Sequence, residues 1–439
     1  MRAVRVPRPR TRSFVLPNGL RVLLAPRPES PTASVWVWYR VGSKNEHPGI
    51  TGASHWVEHM LFSGSPRYGK GEIDRAVVLV GGELNAFTDT DFTAYFTTVP
   101  REHLSVPLDI ESDRMTRALI PDVEVERERT VIYSEREGNE NYPEFRVEEE
   151  LYQLAFRTHP YRWDALGRRS DIERMTPDEL RAYYHRYYGT RNATLVIAGG
   201  FDPRATAAEV TRRFSPLPPT GDDVAVGDVE PAQRGERRAE LAGPGTTPYL
   251  EVGWRAPALD DPAAPATMLL DALLGGETRL FAAGAGWGRA GEHPSARLYR
   301  ALVDPGLAVR ATSEYRPRQY PGLFTIQAQA ARGVSLDRIE AAVAEVVERL
   351  GRSGPSPTEM RDARTKLARG VALAYEGASR TGFRLGYFAV LRSPEFEDQL
   401  FRAVLGVTAA QVRSRARELF RDEARTVVRY SPTAEGVDG

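Results

Sequence analysis

His55 and His59 stand four residues apart in TGASHWVEHMLFSG, residues 51–64, with Glu58 between them. On a helix, positions i and i+4 project from one face about a turn apart, so the two imidazoles can grip a single ion from the same side. Glu58 lies three residues after His55, beside that face, within reach of a water on the ion. The pattern calls for a divalent metal, a carboxylate base and hydrolytic chemistry.

His-x-x-Glu-His is the inverted form of the zinc-peptidase helix motif. Zinc accepts nitrogen and carboxylate ligands, and a hydrolytic site keeps one position open for water, so a third protein ligand must come from elsewhere. The stretch Glu124–Glu150 is so dense in glutamate that spacing alone does not choose among its acids. The remaining histidines, His47, His103, His159, His185 and His293, have no ligand spacing and are read as structural. The chain has no cysteine, which removes disulfides, thiol nucleophiles and Cys-based metal sites.

The elements that must hold these residues follow from periodicity and turn signals. RSFVLPNGLRVLLA reads as two short strands around a Pro-Asn-Gly turn, and ASVWVWYRVG alternates as a strand does. HWVEHMLF starts a helix, IDRAVVLVGG another, and ELNAFTDTDFTAYFTTVP gives two strands around a polar turn. Helices are expected over 101–118, 122–138, 143–156 and 176–188. The strand TLVIAGGF and a helix from Pro203 to Phe214 close this half.

A stretch rich in Pro, Gly, Asp and Arg then interrupts the apolar pattern, and the expected division is 1–215, a linker over 216–238, and 239–439. After it the order restarts. PYLEVGWRAPALDDPAAPATMLLDALLGG echoes ASVWVWYRVGSKNEHPGITGASHWVEHMLFSG, and PGLFTIQAQAA echoes DFTAYFTTV. The fold class expected is α+β, two homologous domains in tandem, each a mainly antiparallel sheet covered by helices. Under that echo Thr267, Leu270 and Asp271 replace His55, Glu58 and His59, so the second half lacks the metal triad.

At 439 residues the chain can bury two cores. Its 59 acids balance 59 Lys plus Arg, so no basic field points to nucleic acid or an anionic membrane. No apolar run approaches the roughly 18 residues of a membrane span. The basic, proline-broken N-terminus reads as an arm into the first strand, and the expected location is cytoplasmic. FAAGAGWGRAGEHP, residues 281–294, reads as a solvent loop, and its glycines lack the Lys-Ser/Thr of a phosphate loop.

The first half resembles the pitrilysin/insulinase metallopeptidases, in their short two-domain branch that includes mitochondrial processing peptidase. HWVEHMLFSG, GGELNAFTDTDFTAYF, ERERTVIYSE, HPYRWDALGRRSDIERMTPDELRAYYHRYY and NATLVIAGGFDP carry the resemblance together. It implies a processing-peptidase-like fold, one Zn2+ per chain held by His55, His59 and Glu135, and endopeptidase activity with Glu58 as general base. Glu135 closes ERERTVIYSE, as the family's distal ligand closes its own segment. Glu128 matches a further family acid that supports the site, while Glu137 and Glu140 are fallback ligands outside the matched segment. The resemblance also implies that a peptide substrate pairs as an added strand with Glu83, Leu84, Asn85, Ala86 and Phe87, with Asn85 and Ala86 at closest approach.

The second half departs from that family. Active relatives carry an Arg and a Tyr in a segment like R-x-x-x-G-L-A-Y, whereas this chain reads RLYRALVDPGLAVRATSEY. Val309 takes the Tyr position and Leu302 or Val303 lies near the Arg; none donates a side-chain hydrogen bond. The expectation is a heterodimer whose homologous partner chain supplies the missing pair, the alternatives being a homodimer or displaced donors at Arg310 and Tyr315. The competing role for such a chain is that of a non-catalytic assembly subunit.

Overall fold

Two sheets carry the chain, and they repeat one strand plan. In the computed structural model, which describes residues 9–275 and 293–433, the first sheet takes β1 (Arg12–Val15), β2 (Arg21–Pro26), β3 (Thr32–Tyr39), β4 (Glu83–Thr88), β5 (Thr93–Pro100) and β6 (Ala193–Gly199) in the order β1-β2-β6-β3-β5-β4. The second takes β7 (Arg237–Gly243), β8 (Tyr249–Ala256), β9 (Ala308–Tyr315), β10 (Gly322–Ala330) and β11 (Arg425–Pro432) in the order β7-β11-β8-β10-β9. Apart from the short β1, the paths coincide. The opening and closing strands of each set run parallel, β2 with β6 and β7 with β11, and the other pairs are antiparallel. The expected tandem α+β class is therefore the fold, and β4 and β9 are its corresponding edge strands.

The helices repeat as well. After β3 come α1 (Ala53–Met60) and α2 (Glu72–Val78), and after β8 comes α9 (Ala264–Leu274). Between β5 and β6 lie α3 (Ser105–Arg117), α4 (Asp122–Glu140), α5 (Pro143–Ala155), α6 (Arg169–Arg174) and α7 (Pro177–Tyr187); α8 (Pro203–Phe214) follows β6. Between β10 and β11 lie α10 (Leu336–Ser353), α11 (Pro357–Leu373), α12 (Ala378–Leu391), α13 (Phe396–Gly406) and α14 (Ala409–Leu419). The helix expected from residue 101 starts at Ser105, because Arg101–His103 form a short 3-10 turn out of the preceding strand. Residues 281–292 of the glycine-rich loop lie outside the described residues.

The third helix of each set crosses to the opposite sheet. Val147, Leu151 and Ala155 of α5 pack with Leu323, Val428 and Tyr430 of the second sheet. In return α12 lies on β3 and β6, where Gly382 and Gly386 receive the rings of Trp36 and Trp38. A Cβ on Gly382 would stand 2.2 Å from the Trp36 ring, and one on Gly386 1.9 Å from Trp38 Nε1. Phe383 between them meets both indoles edge-on, with centroids 5.8 and 5.5 Å away. Each half thus completes the other's core, a reciprocity that local periodicity does not contain.

The connection from 216 to 236 has neither helix nor strand, and β7 opens at Arg237 within the expected linker. It is nevertheless bonded to its surroundings: the Glu230 carboxylate accepts from the backbone N–H groups of Arg157, Thr158 and His159 at 2.9, 2.8 and 3.1 Å. Among the described residues, no helix is long and apolar enough to cross a membrane.

Candidate metal centre

Burial fixes α1 before any ligand is considered. Trp56, Val57 and Met60 are fully enclosed, which aims the opposite face, with His55 and His59, outward toward α4. The helix begins at Gly52, whose φ of 92° and close approach to the Leu166 carbonyl, 2.9 Å from a built Cβ, exclude a side chain. Two of its first N–H groups, those of Gly52 and Ser54, donate to the Glu46 carboxylate at 2.7 and 2.8 Å. A buried carboxylate thereby caps the helix and interacts favourably with its dipole.

His55 Nε2 and His59 Nε2 lie 3.3 Å apart, and Glu135 Oε2 of α4 is 3.5 Å from the first and 3.6 Å from the second. Among the described residues, these three form the one group of such side chains whose ligand atoms all gather within 4.8 Å. Ligands about 2.0–2.1 Å from a tetrahedral zinc are separated by roughly 3.3 Å. The donor triangle therefore has the size that a zinc ion requires, and its two nitrogens and one carboxylate have the chemistry.

The surroundings orient these donors and act on their two imidazoles in opposite directions. His59 Nδ1 faces Glu128 Oε2 at 3.3 Å, an orienting contact that leaves Nε2 for the ion. Burial, reinforced by the neighbouring His59, pushes His55 down to about 3, so its imidazole is neutral. Burial opposes the His59 cation too, yet the hydrogen bond to Glu128 and the charges of Glu135 and Glu58 carry its pKa above the ordinary value. Burial lifts Glu58 to about 7, against the pull of its hydrogen bond with Thr88. A divalent cation beside Glu58 counteracts that rise.

Thr88, at the end of β4, donates to Glu58 Oε2 at 2.5 Å and fixes the carboxylate beside the donor triangle. Sequence reasoning missed both Thr88 and Glu46. Thr88 carried a signal, since it shares the strand face of Leu84 and Ala86 by the period of two. Glu46 carried none, because its spacing from α1 is not that of a capping box.

The strand expected to pair with substrate is only partly at the cavity. β4 is the sheet's edge, and among its residues Ala86, Phe87 and Thr88 line a cavity of about 440 Å³ together with His55 and Glu58. Glu83, Leu84 and Asn85 are not in that lining. Leu84 packs against the cluster of Ile73 and Val77, and the Phe87 ring also lies edge-on to Trp36 and Trp38. Glu137 is beside Arg169 and Glu140 is bonded to Arg136 and Arg169, so both fallback acids are engaged in ion pairs away from the triangle.

The second half contributes Arg316 and Arg318 to the same cavity wall. The two displaced donors behave otherwise. Tyr315 is buried and its hydroxyl donates to the Pro257 carbonyl at 2.9 Å, while Arg310 lines a separate cleft beside Glu144 and Glu251. Val309 is an exposed edge residue.

Comparison with known proteins matches residues 21–167 to the insulinase family, peptidase family M16, and residues 174–367 to the description "Peptidase M16 inactive domain". The two matches meet near α6, ahead of the residues that complete the first sheet. Over 415 residues the chain is 24% identical to an uncharacterized zinc protease, YmxG, of Bacillus subtilis, covering 93% of this chain and 96% of that one. It is 24% identical over 429 residues to a probable mitochondrial-processing peptidase subunit beta of Arabidopsis thaliana, covering 97% and 79%. A crystal structure of a protease from Helicobacter pylori superposes with a TM-score of 0.88 at 24% identity, covering 97% of this chain and 100% of that one.

Proposed function

Because the chain belongs to the insulinase family of peptidases, family M16, we propose that it is a zinc-dependent endopeptidase acting on peptides or unfolded polypeptides. The single observation that carries this reading is the convergence of His55 Nε2, His59 Nε2 and Glu135 Oε2 within 4.8 Å of one another. These residues would hold one zinc ion per chain, with Glu128 orienting His59. We take 1–215 as the catalytic half, 216–238 as the linker and 239–439 as the half without a metal site.

When bound, zinc supplies a Lewis acid that acidifies water and polarises the scissile carbonyl. Glu58, held by Thr88, takes the proton from the attacking water and returns it to the leaving amine. An extended peptide adds to the open edge of β4 through main-chain hydrogen bonds, which tolerate many side chains. In this arrangement Ala86, one of the two residues expected at closest approach, lines the cavity of Glu58 with Phe87, while Asn85, the other, continues the pairing with Glu83 and Leu84 outside that lining.

The peptide is enclosed in a chamber between this chain and a second one. Val309 supplies no donor at the family's tyrosine position, and neither Tyr315 nor Arg310 lines the cavity of Glu58, which favours a homologous partner carrying the Arg and Tyr. The relative named as a subunit of a processing peptidase supports the same arrangement. Single-turnover assays of the chain alone and with a homologous partner test it: full activity alone rejects the heterodimer.

A scaffold role is the second reading, favoured by the match of the second half to a domain described as inactive. Zinc content after dialysis separates the two. About one zinc per chain, with peptide hydrolysis, supports the peptidase; no bound zinc leaves the scaffold.

A further inference from the structure

The turn from β4 to β5, residues 89–92, and the turn from β9 to β10, residues 316–321, occupy corresponding places in the two halves, and they are bonded to each other. Arg316 Nη1 donates to Asp89 Oδ2 at 2.9 Å. Asp91, only 2% exposed, accepts from the Gln319 backbone N–H at 3.0 Å and from the Tyr161 hydroxyl at 2.7 Å. Lys44, equally enclosed, donates to the Asp91 carbonyl at 2.6 Å and to Gln319 Oε1 at 2.7 Å. The Tyr320 N–H closes the set on the Tyr161 oxygen at 3.0 Å.

Hairpin turns ordinarily end in solvent, where water satisfies their polar groups. Here charged groups are drawn inside, and a buried ion pair is retained only where its geometry is well satisfied. The location gives the pairing a consequence. Asp89 directly follows Thr88, whose hydroxyl holds the Glu58 carboxylate. β4 has a strand on one side only, and its end at Thr88 leads directly into this turn, which the Ser43 and Lys44 N–H groups hold from the first half while Arg316 holds it from the second. Two bonds therefore separate the second half from the base: Arg316 to Asp89, and Thr88 to Glu58.

We propose that the second half serves the chemistry of the first within the same chain, with Arg316 acting through Asp89 as a positioning residue that fixes Thr88 and the β4 edge against Glu58. This deepens, and rests on, the peptidase reading. It assigns to the half that lacks ligands a task that the bare fold does not require.

The test pairs Arg316→Gln with Asp89→Asn and their combination, in the zinc-loaded full chain with any partner it needs. A displacement of about 1 Å at a reacting group costs on the order of 100-fold, so each single variant is expected to lose about 10- to 100-fold in kcat with KM and zinc content little changed. The double variant should lose no more than either single one, because both break one link. Arg316→Lys, which keeps the charge, should recover part of the loss. Hydrogen exchange supplies a readout independent of turnover: amides of residues 83–88 should exchange faster in both single variants, with those of β2 and β6 unchanged as a check on folding. Unequal and additive losses, with KM raised by Arg316→Gln alone, would mean that Arg316 touches substrate directly and overturn the proposal. Unchanged exchange at 83–88 would also overturn it. Absence of zinc and hydrolysis in the unaltered protein sinks the peptidase reading instead, while the exchange experiment still decides whether the turn is clamped.

Discussion

The helix after β3 and the helix after β8 occupy the same place in two copies of one strand plan, and they do opposite things. In α1, His55 and Glu58 line a cavity, and His55 and His59 face the Glu135 carboxylate from α4. In α9 their counterparts are consumed by packing. Thr267 accepts from Arg415 Nε at 3.0 Å, Leu270 is fully enclosed, and Asp271 accepts from Ser313 Oγ at 2.7 Å. As far into α11 as Glu135 is into α4 stands Gly370, which has no side chain to offer. The fold thus supplies a place for a metal twice and the residues for it once. A scaffold of this kind does not by itself imply chemistry; the donor set does.

That contrast breaks most sharply at Glu58. Glu58→Gln is expected to reduce peptide hydrolysis by about 100- to 10,000-fold while zinc remains bound, as measured by steady-state turnover and metal analysis. Leu270→Glu in the other half should create no activity. Retained turnover in Glu58→Gln would rule out the assigned base.

Next in size is a comparison of the two helix exchanges. Gly386→Ala drives a methyl into the Trp38 indole and should destabilise the protein by about 3 kcal/mol, seen as a lower urea midpoint. Gly253→Ala, where the added carbon meets a Leu151 methyl at 3.0 Å, should cost distinctly less, because a flexible side-chain end can yield. Equal effects would show that the exchange of α12 is no more tightly fitted than that of α5.

A smaller effect is expected for Glu128→Gln, which weakens the contact orienting His59. Zinc affinity should fall about 10- to 100-fold by competition with a chelator, with kcat of the loaded enzyme nearly kept. An unchanged affinity would make Glu128 an ordinary surface acid.

The smallest concerns charge used for stability alone in the second half. Glu340 accepts from Arg238 and Arg429, and although burial works the other way, these bonds hold its carboxyl down to about 2. A folded pKa below the unfolded value near 4.5 contributes stability that is full above about pH 4.5 and lost as pH falls toward 2. Glu340→Gln should therefore cost about 1 kcal/mol at pH 7, after allowance for screening, with the deficit fading through that acid range. A deficit that persists at pH 2 would assign the loss to packing rather than charge.

Much of this could be read from the chain because the relevant order is local. The helical repeat put His55 and His59 on one face, and turn signals with alternating strands gave the tandem arrangement. Glu135 required the family likeness, since the glutamates around it have the same local grammar. Tyr315 and Arg310 were attractive as donors by nearness in sequence, but strand alternation and burial send them elsewhere. Phe87, read as a substrate-strand residue, packs on Trp36 and Trp38 as well as lining the cavity. The expected linker gave no sign that Glu230 within it would bond to the loop at 157–159.

By itself the sequence determined which helix carries the donor pair, which half lacks it, and how many times the fold is built. Tertiary structure alone decided that Glu46 caps α1, that Thr88 holds Glu58, and that α5 and α12 change places. The physical reason is one of range: helix and strand periodicity is written in neighbours a few residues apart, whereas a cap, an orienting hydroxyl or a helix docked on the opposite sheet depends on burial and hydrogen bonds between residues that only the folded chain brings together.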